Sequence, residues 1–141
     1  MEDVSSDTVE IDCIDASNAG SPRNDGTPGS GLYVVPIRLK QTPSPNWASL
    51  FPGNWDHPQE WSSRHRPGIA QVVGDTIVLN GTTVEEVRDV HVKTLKLAVE
   101  ATNEQAAAVA ERERVARDTA ATQHAAHEAN IRKVASEVRF D

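Results

Sequence analysis

An α+β fold follows from three observations in this 141-residue chain. Short runs with two-residue alternation lie near residues 32–39, 69–73 and 76–80, the signature of strands in a small antiparallel sheet. The last two flank Gly74-Asp75, a two-residue hairpin loop. From Thr82 to the end the chain has neither proline nor glycine, so one long C-terminal α-helix is expected to pack on the sheet. The chain divides accordingly into an acidic, flexible arm and linker (1–31), a head (32–103) and an Ala/Glu/Arg-rich helical extension (104–141).

The arm holds seven acids and one base. Within it "TVEIDCID" sets Val9, Ile11 and Cys13 on one side against Glu10 and Asp12 on the other, a possible strand over 8–15. The segment that follows, "ASNAGSPRNDGTPGSG", is a linker by composition, with too little to bury to offset its ordering entropy. The arm is therefore expected to be dispensable for folding of the remainder.

In the head, "LYVVPIRLK" alternates Tyr33, Val35, Ile37 and Leu39, and Pro36 favours an edge position because it cannot donate to a ladder. Ser44-Pro45 is a helix start, with serine as cap and proline in the first turn. Trp47, Leu50 and Phe51 then share one side of a short helix that Pro52-Gly53 is expected to end, with Trp47 and Phe51 in the core. Trp55 and Trp61 fall in loop. For the hairpin, a type II′ turn pairs Val72 with Ile77 and Ala70 with Leu79 on an apolar face, and Val73 with Thr76 and Gln71 with Val78 on a mixed one.

Thr82 and Thr83 each precede a glutamate by three residues, so either can open the long helix with a capping box. From Val84 to Ala101 the apolar residues cover an arc of roughly 200°, twice what one small sheet requires. The surplus calls for a second cover, either the tryptophan segment or another copy of the chain. Beyond it, Val109, Ala120 and Ile131 recur every eleven residues, keeping one face aligned along a nearly straight helix. Val90, Leu97, Val109, Ala120 and Ile131 are the candidate oligomer interface.

Composition narrows the function. A hydrophobic fraction of 38% leaves no room for a large core. A net charge of −7 argues against general nucleic-acid binding, which needs a basic face. Cys13 is the single cysteine, which fits a reducing compartment, and no membrane span is expected. A cytoplasmic location is the consequent expectation. His124 and His127 stand three apart, yet no zinc-hydrolase spacing surrounds them, so neither metal nor cofactor is expected. His91 lies within the apolar arc and reads as a packed core histidine. No nucleophile elbow, phosphate-cradling loop or Cys/His pairing frames the serines and histidines, and no catalytic residue is assigned.

The expected function is therefore a non-enzymatic assembly or adaptor protein. It would self-associate through the long helix and engage a protein partner through head or arm. The alternative is a small ligand-binding or catalytic domain using the loop residues Trp55, His57, Trp61, Arg64, His65 and Arg66. A weaker alternative is a regulator touching nucleic acid through Arg64-His65-Arg66.

Overall fold

The computed structural model describes residues 8–140. Four strands form one antiparallel sheet in the order β1-β2-β4-β3: β1 (Ile11–Ile14), β2 (Tyr33–Leu39), β3 (Ala70–Val73) and β4 (Thr76–Thr82). Between β2 and β3 lies helix α1 (Pro45–Asp56). After β4 a short α2 (Val84–Glu86) runs through a π-helical turn (Val87–His91) into α3 (Val92–Glu137). The α+β class and the long C-terminal helix are thus as the sequence predicts.

The hairpin has the anticipated register, with Val72 opposite Ile77 and Ala70 opposite Leu79. Gly74 takes φ +60° while Asp75 stays at negative φ, which is the backbone of a type II′ turn. Val35, Ile37 and Leu39 of β2 and Ile77 and Leu79 of β4 turn one face into the core.

The possible strand within 8–15 is present as β1, and the edge position expected for β2 needs correction. The arm is not separate from the sheet, because Ile11–Ile14 pairs with β2 and Val9 is buried. Beyond β1 the contact continues, with Asp15 N–H donating to Pro36 O and Gly20 N–H to Val34 O. Consequently β2 is an inner strand despite Pro36. The reason lies in strand geometry: the N and O of one residue face the same neighbour. Pro36 O takes the Asp15 N–H just past the last residue of β1, so the missing proline N–H falls where β1 has ended and not in the β4 ladder.

Helix α1 starts as the sequence indicates, with Ser44 Oγ accepting the Trp47 N–H at 3.2 Å. It does not stop at Pro52-Gly53. The helix carries Pro52 in its interior and ends only when His57 N–H meets Gly53 O. Continuing one more turn places Trp55 four residues beyond Phe51 and eight beyond Trp47, on one face. All three rings are fully buried, and Trp47 stacks on Phe51 with centres 5.3 Å apart. Burying three large aromatics offsets a proline in mid-helix, which costs about 3 kcal/mol.

The surplus apolar arc of the long helix is covered by α1 and by the arm. Val87, His91, Leu95, Ala98, Thr102 and Ala106 recur at three- and four-residue steps and are buried. Asn54 on α1 donates to Thr102 Oγ1 and to Gln105 Oε1. One compact unit extends to Ala107, and Ala106 lies in its core. The second unit comprises residues 108–141, and of it every described residue from Glu111 onward is exposed. Among the described residues no helix is long and apolar enough to cross a membrane.

Candidate functional site

The loop between α1 and β3 is pinned at several points. Asp56 Oδ1 accepts the Gly68 N–H at 2.7 Å and closes its base. Trp55 Nε1–H donates to Arg66 O at 2.8 Å, and the His65 ring donates from Nε2 to Trp55 O at 2.8 Å. Inside the loop, Ser62 accepts the Arg64 N–H through its hydroxyl and the His65 N–H through its carbonyl.

Glu86 is the hub toward which this loop is drawn. Its carboxylate receives a fork from Arg66, Nε to Oε1 at 2.5 Å and Nη2 to Oε2 at 3.0 Å. Thr82 Oγ1 donates to Oε1 at 2.5 Å, and His91 Nε2 lies 3.1 Å from the same oxygen. The Arg66 fork, helped by Thr82 and His91, holds the Glu86 carboxyl down to about 2 despite its partial burial. A carboxylate only accepts, so the His91 Nε2 carries the proton. Burial lowers the His91 pKa below its ordinary value, more than the neighbouring Glu86 raises it.

Local structure explains how Glu86 and His91 meet. Thr83 caps the helix by accepting the Glu86 N–H, and Tyr33 Oη accepts the Val84 N–H. The reciprocal half of a capping box is absent, because the Glu86 carboxylate turns to Arg66. A five-residue spacing puts side chains out of line on an α-helix, whereas in the π turn Val92 N–H reaches back to Val87 O. This wider turn sets His91 over Glu86.

The six loop candidates do not form one open site. Trp55 belongs to a helix and is wholly buried, and its ring packs against His65 at 4.6 Å and His91 at 5.2 Å. Arg66 and His65 spend their best donors on Glu86 and Trp55 O. Arg64, His65 and Arg66 line a polar cleft with Ser63 and Glu86. His57 lies apart, in a different cleft beside Asn54, Pro58 and Leu97. Trp61 is 61% exposed, and its ring meets His65 edge-on at 5.2 Å.

Glu86 and Thr82 were visible in the sequence only as capping residues. His91 stood out as a core histidine, and it is buried, but the five-residue spacing to Glu86 carries no α-helical signal. On the long helix, Val90 and Leu97 are half-buried in the head unit, whereas Ala120 and Ile131 are exposed and Val109 is intermediate. His124 is 3.6 Å from Glu128 on that exposed stretch. Among the described residues no group of three or more His, Cys, Asp or Glu is placed to hold a metal.

No protein-family model, curated protein or solved structure matches the chain. Its function has to be argued from its own residues.

Proposed function

We propose that this is a non-enzymatic assembly protein whose α3 extension pairs with a second copy of the chain. One observation carries the reading. Residues 111–137 are helical, yet every one of them is exposed. Most helix stability in proteins derives from packing an apolar face. Placed at 100° per residue, Ala116, Ala120, Ile131 and Val134 fall within an arc of about 60°, the width of a helix-pairing seam. Ile131, Val134 and Val138 are each about half exposed.

Engagement of a protein partner through the head belongs to the same reading, with Trp61 and Arg64 at the rim as the contact residues. The arm is a poorer candidate, since its strand already pairs with β2. A cytoplasmic location fits the single cysteine, Cys13. The alternative of a ligand or catalytic site at residues 55–66 is weakened by the internal bonds on which Trp55, His65 and Arg66 are spent.

Sedimentation velocity over a range of concentrations tests the proposal. The whole chain is expected to sediment as a dimer or larger, and Ile131→Glu to shift it toward monomer. A monomer mass at high micromolar concentration would sink the reading.

A further inference from the structure

We propose that the head docks an extended segment of a partner protein along the outer edge of β1, as a short fifth strand in the groove between β1 and α3. The surface is independent of the α3 pairing and of the Trp61 rim described above. Pairing with β2 ends the role of the arm as a free tether but uses only one edge of β1. Ile11 lies opposite Leu39 and Ile14 opposite Ile37. Leu39 gives its N–H to Asp75 O, on the β4 side, and Ile37, two residues away, faces the same way. Residues directly opposite each other in an antiparallel pair either both face inward or both face outward. The N–H and C=O of Ile11 and Ile14 therefore point out of the sheet, where β1 is the last strand among the described residues.

Val9 shows how this edge is satisfied. The Asn103 amide takes both its N–H, at 2.9 Å, and its C=O, at 3.1 Å, as a neighbouring strand would. Past Asn103 a groove takes over. Residues 8–11 line one side of a cleft of about 340 Å³, faced by Val99 and Asn103 of α3. All four residues of β1 line the next, of about 320 Å³, faced by Val87, Val92 and Leu95. Side chains on a strand alternate between its two faces, so a cleft lined by consecutive residues runs along the strand's edge. The two clefts meet at Ile11 and Lys96.

These walls define the occupant. Main-chain groups in a row call for an extended backbone, and the apolar helix wall takes its alternate side chains. Val92 stands 39% exposed in that wall. Lys96 belongs to both clefts and makes no ion pair among the described residues, whereas Asp12 lines only one cleft and Glu100 only the other. The matching segment carries an apolar residue, an acid and an apolar residue at alternate positions. A second copy's β1 is a poorer match. Its Ile11 and Ile14 are packed against its own core and would leave both clefts unfilled. The irregular register between Ile11 and Cys13 also bends the edge, which opposes the joining of two whole sheets.

The probe is the peptide Ser-Val-Thr-Glu-Thr-Val-Ser, acetylated and amidated, titrated into the full-length chain. Amide 1H–15N spectra and hydrogen exchange are followed. Saturable binding is expected, with the Ile11 and Ile14 amides shifting downfield and exchanging more slowly. Val92→Lys should weaken binding about tenfold or more, the scale of one lost apolar contact. Two further peptides carry N-methyl groups on alternate residues, in one phase or the other. Only one edge of the added strand pairs with β1, so one phase should abolish binding and the other retain it. Should Val92→Lys fail to fold, this pair decides on the parent chain. Equal behaviour of the two phases, unmoved Ile11 and Ile14 amides, or no binding at millimolar peptide would overturn the proposal. Slow exchange of both amides before any peptide is added would also overturn it, assigning the edge to a second copy or to residues 1–7.

Discussion

Val9 and Asn103, 94 positions apart in the chain, exchange two hydrogen bonds: Val9 N–H donates to Asn103 Oδ1 at 2.9 Å, and Asn103 Nδ2 donates to Val9 O at 3.1 Å. The amide thus mimics a strand neighbour for the residue just before β1. The same Oδ1 accepts Trp47 Nε1–H at 2.8 Å. One side chain joins the arm, α1 and α3.

Asn103→Ala should therefore destabilise the head by about 2–3 kcal/mol, since it strands buried donors of Val9 and Trp47. A chemical-denaturation midpoint within error of the parent would show that the clamp is dispensable.

Deleting residues 1–15 should lower the melting temperature clearly, contrary to the expectation from composition alone. The deletion removes Val9 from the core and uncovers the β1 side of β2. An unchanged melt would mean that β1 adds nothing to the sheet.

The three tryptophans should separate by burial. Trp47→Ala and Trp55→Ala should each cost about 3–5 kcal/mol, the usual range for a buried large aromatic. Trp61→Ala should cost less than about 1 kcal/mol, as expected of an exposed residue. Equal losses at Trp55 and Trp61 would contradict the helical placement of Trp55.

Acid should act on the hub around Glu86. The folded Glu86 carboxyl titrates at about 2, below its ordinary 4.5, so its stabilisation is whole above pH 4.5 and is lost as pH falls toward 2. His91 is lowered from 6.5, so its contribution is present above pH 6.5 and declines on acidification below it. Both effects have one sign. Urea midpoints should be flat above neutrality, fall gently below pH 6.5 and fall steeply below 4.5. Glu86→Gln should flatten the steep limb, and a steep limb that survives would assign it to other carboxylates.

A chain ending at residue 107 should retain the melting transition of the head and lose self-association. Ala106 is the last core residue of α3, and from Glu111 onward no described residue is buried. Undiminished association by the shortened chain would place the interface in the head.

Features with a local cause were legible in the sequence. The β3–β4 register followed from a glycine at the first turn position and from two-residue alternation. Both helix starts followed from Ser44-Pro45 and from the Thr82-Thr83 pair, between which the structure chose Thr83, and the core roles of Trp47 and Phe51 followed from their spacing. The length of α3 followed from a run without helix breakers. Each depends on residues a few positions apart, where propensity and period dominate.

What the tertiary structure decided depends on partners far along the chain. Pro36 tolerates an inner strand only because β1 ends beside it, and Pro52 is carried inside α1 because Trp55 gains a buried site one turn later. The alternation in the arm becomes a strand because β2 offers it an unpaired edge and Asn103 holds its start. Glu86 and His91 meet through a π turn that no α-helical period signals, and Arg66 joins them from another element. In each case packing energy outweighed a local preference, and that energy exists only once the distant partner is in place.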